Sequence, residues 1–253
     1  HVEPENVAAV GIARAPADRV TLDGSEPFEL TSAAGGLLPD VHFTLGLTGW
    51  VELDYNDSLA FLDNPERRKR HNLQGPIDDA FMEPFVCVRG TGTPWSQPQH
   101  DWAHWTLHRF EQQFDKWMRG HVPVVDDDKL TDDQIASSNL ILFGDPGSNS
   151  VLARVLDQLP ITWTTTGLSV GRQNYDPATH GCALIYPNPL NPSRYVVINS
   201  GMTMHAADFK NSNAWLFPRL GDIAVLRFER QGDNYMEEIL TGAIFDSGWK
   251  LPE

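Results

Sequence analysis

Residues 139–156, NLILFGDPGSNSVLARVL, decide how the chain is read. Leu140 to Phe143 form a continuous apolar run, as expected of a strand covered on both faces rather than one with a wet side. Val151, Leu152, Val155, Leu156 and Leu159 then recur at the steps of an amphipathic helix, which Pro160 ends. A strand, a glycine-bearing turn and a helix in that order cradle phosphate in nucleotide-binding proteins, so GDPGSNS is the first place to look for function. A P-loop needs G-x-x-x-x-G-K-[ST] and a dinucleotide fold needs G-x-G-x-x-G. Here Gly144 and Gly147 are three apart, no lysine follows, and neither pattern is present. The helix start still offers free N–H groups and the positive end of its dipole to a polar ligand. Ser148 or Asn149 either caps that helix or contacts a ligand. Asp145 shows no structural duty in the sequence and is the leading candidate for ligand contact or for docking a neighbouring domain.

Working outward, PFVCVRG (84–90) and VPVV (122–125) read as strands on either side of a helix over residues 99–119. There Trp102, Trp105, Phe110, Phe114 and Trp117 recur at three- to four-residue steps. Thr131 and Gln134 have the spacing of a capping box. CALIY (182–186) and RYVVINSG (194–201) are strands whose short connection suits an antiparallel pair, and DIAVLRF (222–228) and EEILTGAIFD (237–246) close the chain as strands. Before residue 62 the texture differs. VAAVGIA, RVTLDG, VHFTLGL and GWVELDY are short β-type runs broken at Ala15-Pro16-Ala17-Asp18 and Gly35-Gly36, with a tight-turn signal at Asp23-Gly24. The expectation is a β-rich unit over 1–62, a polar connection over 63–81, and an α/β domain over 82–253. That domain is expected to be a mixed, mainly parallel three-layer sheet of flavodoxin- or Rossmann-like type.

The formal net charge of -15 disfavours nucleic acid and anionic membrane surfaces, both of which select basic patches. The basic run Arg67-Arg68-Lys69-Arg70 reads as a solvated loop. No apolar run approaches the ~20 residues that cross a bilayer. Cys87 and Cys182 lie in apolar, strand-like runs and are read as buried free thiols in preference to a disulfide. The chain starts at His1 without methionine or signal peptide, as a processed chain or a fragment does, and a free N-terminal histidine leaves open a copper-dependent oxidase.

Other constellations are weak. His100, His104 and His108 stand at i, i+4 and i+8, but the helix rises ~12 Å over that span, so three ligands do not converge on one ion. No metal and no cofactor is expected. No G-x-S-x-G elbow occurs, although His180 and His205 keep an unusual triad open. Several apolar strands end in Gly, Asn, Asp or Ser, and strand C-terminal ends are where ligand crevices form in open α/β sheets. On that rule Asp145, Ser148, Asn149, Asn188, Asn199 and Ser200 are the candidate lining of one crevice, against the alternative that they only shape turns. Eight tryptophans raise a glycan-binding module as a further class, provided that some are exposed.

LQGPIDDAFMEPFVCVRGTG, SSNLILFGDPGSNSVLARVLDQLPI, LIYPNPLNPSRYVVINSG and ILTGAIFDSGW resemble the C-terminal region of large exported bacterial proteins of the prolyl oligopeptidase family, of planctomycete type. The GPIDDAF and YPNPLNP runs carry most of that resemblance, which is strong from residue 70 and weak over residues 1–60. It implies an extracytoplasmic, noncatalytic accessory region that docks on a serine-hydrolase domain of the same or a partner chain, or binds a peptide or glycan for it. The family's catalytic serine lies outside the resembling region, so no catalytic residue transfers to this chain.

Overall fold

The computed structural model describes residues 1–3, 7, 9–13, 18–30, 40–62, 68–70, 72–203 and 220–251. The breaks at Ala15-Pro16-Ala17 and Gly35-Gly36, together with Arg67, His205 and Trp215, lie outside them. The chain divides into two compact units, His1–Glu66 and Arg67–Glu253. Leu73, Ile77 and Ala80, in the segment read as a connection, belong to the core of the second unit.

The first unit contains β1 (Ala9–Ala13), β2 (Arg19–Val20), β3 (Phe28–Glu29), β4 (Asp40–Gly46), β5 (Gly49–Glu52) and helix α1 (Tyr55–Leu62). β4 pairs antiparallel with β1 and β5, and β2 pairs antiparallel with β3. Their apolar residues meet in a small core of Val20, Leu22, Leu30, Val41, Phe43 and Trp50. Asp23 and Gly24 both have positive φ, 47° and 71°, and Ser25 N–H donates to Leu22 O across them, as a type I′ turn requires.

The second unit is built on β6 (Phe85–Arg89), α2 (Gln97–Met118), β7 (Val124–Asp126), α3 (Asp132–Ser137), β8 (Asn139–Phe143), α4 (Ser150–Val155), β9 (Ile161–Trp163), β10 (Leu168–Val170), β11 (Gln173–Tyr175), β12 (His180–Asn188), β13 (Asn191–Ile198), β14 (Ile223–Gln231) and β15 (Asn234–Ala243). Its main sheet has seven strands in the order β15-β14-β12-β13-β8-β6-β7, and β9, β10 and β11 form a separate antiparallel sheet. The capping box is formed at the start of α3: Gln134 N–H donates to the Thr131 hydroxyl and Thr131 N–H to the Gln134 side chain.

The expectation of a mainly parallel, three-layer, flavodoxin- or Rossmann-like sheet is overturned. The second unit is β-rich. Only β7, β6, β8 and β13 run parallel, whereas β13–β12, β12–β14 and β14–β15 pair antiparallel. A continuous apolar run reports that a strand is buried on both faces, and it carries no information about direction. Direction is set by the connections. Asn188 to Asn191 closes a hairpin between β12 and β13, and β14 and β15 are joined just as tightly around positive-φ Gly232. A doubly wound sheet also needs long crossover helices, and α3 and α4 have six residues each.

The 22-residue α2 is the long crossover, carrying the chain from β6 to β7. It presses on the sheet where glycines leave room. The Trp102 ring occupies the space a Gly181 side chain would fill, since a Cβ there would stand 2.2 Å from a ring carbon, and Phe110 does the same at Gly201, at 2.3 Å. Trp102 also stacks on Phe228 of β14, with centroids 5.0 Å apart and planes 8° from parallel.

Cys87 and Cys182 are both buried and free. β6 and β12 are separated by β8 and β13, and three inter-strand steps of ~4.8 Å hold the sulfurs well beyond bonding distance. Burial pushes the Cys182 thiol up to about 12, and burial followed by Glu111 raises Cys87 as well, so both are inert thiols at neutral pH. Among the described residues no helix is long and apolar enough to cross a membrane.

Candidate functional site

The turn after β8 is held by hydrogen bonds within itself and to the neighbouring segments around Val88, Ser96 and Asn199. Leu140 to Phe143 are fully buried between β13 and β6, and the chain leaves the sheet at Gly144, whose φ of 125° suits glycine. Gly144 N–H donates to Asn199 Oδ1, and Asn199 Nδ2 returns a bond to Gly144 O, both at 2.9 Å. The Asn199 amide thus stands in for backbone and extends the β8–β13 ladder by one step. Asp145 is completely buried. Its Oδ1 accepts N–H from Gly147 (3.0 Å) and Ser148 (2.8 Å), and its Oδ2 accepts from Ser96 (2.9 Å). The Ser148 hydroxyl accepts from Asp145 N–H and donates to Asp145 O.

Asn149 is the N-cap of α4, accepting from Val151 and Leu152 N–H while its amide group donates to Val88 O and Phe143 O. These four bonds use all the capacity an asparagine side chain has. The N–H of Ser150, the next donor at the helix start, goes to Asp127 Oδ2 at 2.7 Å, while Asp127 Oδ1 accepts from Thr91 N–H (2.9 Å) and the Thr91 hydroxyl (2.8 Å). Burial pushes the Asp127 carboxyl up, but the bonds from Ser150 and Thr91 outweigh it and hold the group below its ordinary value. A phosphate at this helix start would have to displace the chain's own carboxylates. Asp145, which shows no structural duty in the sequence, is a turn element in the fold: its carboxylate accepts three backbone N–H groups, and its own carbonyl also accepts from Ser148 N–H. Asp127 carries no motif of its own, and only the fold brings it to the helix.

The structure therefore brings Asp145, Ser148, Asn149 and Asn199 together, with Ser200 following Asn199. It does not bring Asn188 to them. β12 is antiparallel to β13, so Asn188 sits by Asn191 at the start of β13, and the eight residues of β13 put roughly 25 Å between it and Asn199. Its Oδ1 accepts from Leu190 N–H, and its buried Nδ2 has no partner among the described residues.

Beyond the end of β13 lies a cavity of about 190 Å³, lined by Asn199, Ser200, Met202 and Thr203, by Trp102 and Arg109 of α2, and by residues of β14 and β15. Glu237 of β15 is its electrostatic centre. It accepts the Trp102 indole N–H at 2.9 Å and pairs with the Arg109 guanidinium, with only 9% of its side chain exposed. Arg109 in turn lies 4.4 Å over the Trp105 ring. The Ser200 hydroxyl donates to Gly201 O. Sequence reading reached Asn199 and Ser200 but not Arg109 or Glu237. The available signals were a charged residue seven positions after Trp102 on a helix face, and a glutamate alternating with Tyr235 and Ile239 on a strand.

The histidines diverge. The His100 and His104 rings lie with centroids 4.0 Å apart and planes tilted by 38°, and His104 Nε2 contacts Gly90 O, while His108 is exposed and bonds Gln112. Burial, then the neighbouring His100, lowers the His104 pKa. His1 contacts Glu3, and His180 contacts Asp176 O and Thr179. Among the described residues no group of three His, Cys, Asp or Glu side chains could hold a metal ion. Of the seven described tryptophans, Trp50, Trp102, Trp163 and Trp249 are buried and Trp105 packs against the core. Trp95 and Trp117 are each 40% exposed. Comparison with protein-family models, with curated proteins and with solved structures finds no match for the chain.

Proposed function

We propose that the chain is a noncatalytic, docking or substrate-binding region of an exported serine peptidase or esterase of prolyl oligopeptidase type, whose nucleophile belongs to a separate domain. The sequence runs around GPIDDAF and YPNPLNP support the family reading. The observation that carries the noncatalytic reading is the state of Ser148. It is fully buried on a strand-to-helix turn, the place a nucleophile takes in a serine hydrolase, yet both of its hydroxyl bonds go to the backbone of Asp145. Among the described residues no serine hydroxyl bonds a histidine ring, the contact that activates such a nucleophile. The purified chain is expected to hydrolyse aryl esters and proline-containing peptides no faster than the uncatalysed background. Turnover that disappeared in Ser148→Ala or Ser200→Ala would overturn the proposal.

A further inference from the structure

The cavity beside Glu237 has a size and a charge pattern that restrict what it accepts. An engineered protein cavity of roughly 150 Å³ takes up benzene, so about 190 Å³ accommodates a group of roughly seven to ten non-hydrogen atoms. Arg109 and Glu237 face it as a contact ion pair, 23% and 9% exposed, held in place by Trp105 and by the Trp102 indole N–H. The field of such a pair is that of a dipole. A lone anion near Arg109 meets Glu237 at almost the same distance, a lone cation meets the reverse, and each gains little. A ligand carrying both charges gains at both ends, its carboxylate on the guanidinium and its ammonium on the carboxylate. Arg109 has the capacity, since its five N–H groups exceed the bonds it makes to Glu237.

Met202, Leu220, Leu226 and Ile239 give an apolar side chain one wall, beside the polar Asn199, Ser200 and Thr203. The Tyr235 hydroxyl on the same wall has no hydrogen-bond partner among the described residues. A sugar fits less well. Stacking needs a free aromatic face, whereas Trp102 is stacked on Phe228 and pressed against Gly181, and Tyr235 packs on Trp105 and Phe228.

We propose that this cavity binds a small zwitterion with an apolar side chain, a free α-amino acid of about the size of leucine. The proposal goes beyond the noncatalytic reading, and because its test measures binding, either one fails without the other. Isothermal titration calorimetry of the whole chain with L-leucine, L-proline, L-methionine and L-valine should give saturable one-to-one binding for at least one of them. Removing either charge of that ligand, as the amide or as the des-amino acid, should weaken binding roughly tenfold or more, the worth of one charge-assisted contact. Ile239→Trp fills the cavity from a position 41% exposed, and it should abolish binding while leaving the melting temperature within a few degrees. Absence of saturable binding for all four amino acids overturns the proposal. So does equal affinity for the uncharged N-acetyl amide, or unchanged binding in a folded Ile239→Trp protein.

Discussion

Asp145 shows how a single side chain changes meaning once its neighbours are known. In sequence it is an aspartate on a glycine-rich turn. In the fold it is the acceptor for Ser96, Gly147 and Ser148 N–H groups, and no water reaches it. Asp145→Ala removes the side-chain acceptor of all three. It leaves the part-buried Ser96 and Gly147 N–H groups without it, while Ser148 N–H keeps Asp145 O, and should cost roughly 3 kcal/mol. For a chain of this size that is a fall in melting temperature of roughly 6–12 °C. Thermal unfolding at neutral pH measures it, and a change under 2 °C would free the residue for a binding role. Asp127 makes a related prediction in pH. Its folded-state pKa lies below the ordinary 3.8, so between those two values the unfolded chain binds more protons than the folded one. The stabilisation is present in full above the unfolded value and is lost as pH falls through 3.8 toward the folded value. Urea unfolding of Asp127→Asn should therefore show a stability loss of about 1–3 kcal/mol at pH 7 and a shallower acid decline below pH 5 than the parent chain.

Among the elements, α2 has the most at stake. It meets the sheet both by ring-to-backbone approach at Gly181 and Gly201 and by side-chain contacts such as the Trp102–Phe228 stack. Gly181→Ala places a methyl group 2.2 Å from the Trp102 ring, in a strand paired with β14 at that position and with β13 from Leu184 onward, which limits its retreat. The helix must lift, stretching the Trp102–Glu237 bond and the Phe228 stack together. A cost of about 3 kcal/mol is expected, at the upper end for overpacking, with altered near-UV circular dichroism. If the clash is the cause, adding Trp102→Leu should recover part of the loss, a coupling between neighbours that a double-mutant cycle resolves. The α2 stripe was readable because Trp102, Phe110 and Phe114 repeat at helical steps, and the α3 start because Thr131 and Gln134 have capping-box spacing. Helix α1 was not readable: YNDSLAFL is short, polar at its start and has the look of a loop.

On the scale of the whole molecule, two units each bury their own apolar residues, and the cores of Phe43 and of Trp102 share no member. The seven-stranded sheet joins a parallel half, whose strands the crossovers bring back in one direction, to a hairpin-built antiparallel half. This junction explains why the crevice rule gathered most of the candidate residues and misplaced one. Asn199 follows a strand parallel to β8 and arrives beside Gly144. Asn188 ends a strand that runs the other way.

Local features are legible in the amino-acid letters alone: which segments are apolar enough to be strands, that α2 and α4 are helices and which faces they bury, and that GDPGSNS lacks the residues of a phosphate loop. These depend on neighbours within about eight positions, so spacing and side-chain type suffice. Strand direction, the filling of the α4 N-terminus by Asp127, and the meeting of Arg109 with Glu237 emerge once the chain is folded. The last pair is 128 residues apart in the chain. Such contacts depend on which connections close as hairpins and which cross over, and a carboxylate carries the same letter in the sequence whether it faces water or three backbone N–H groups.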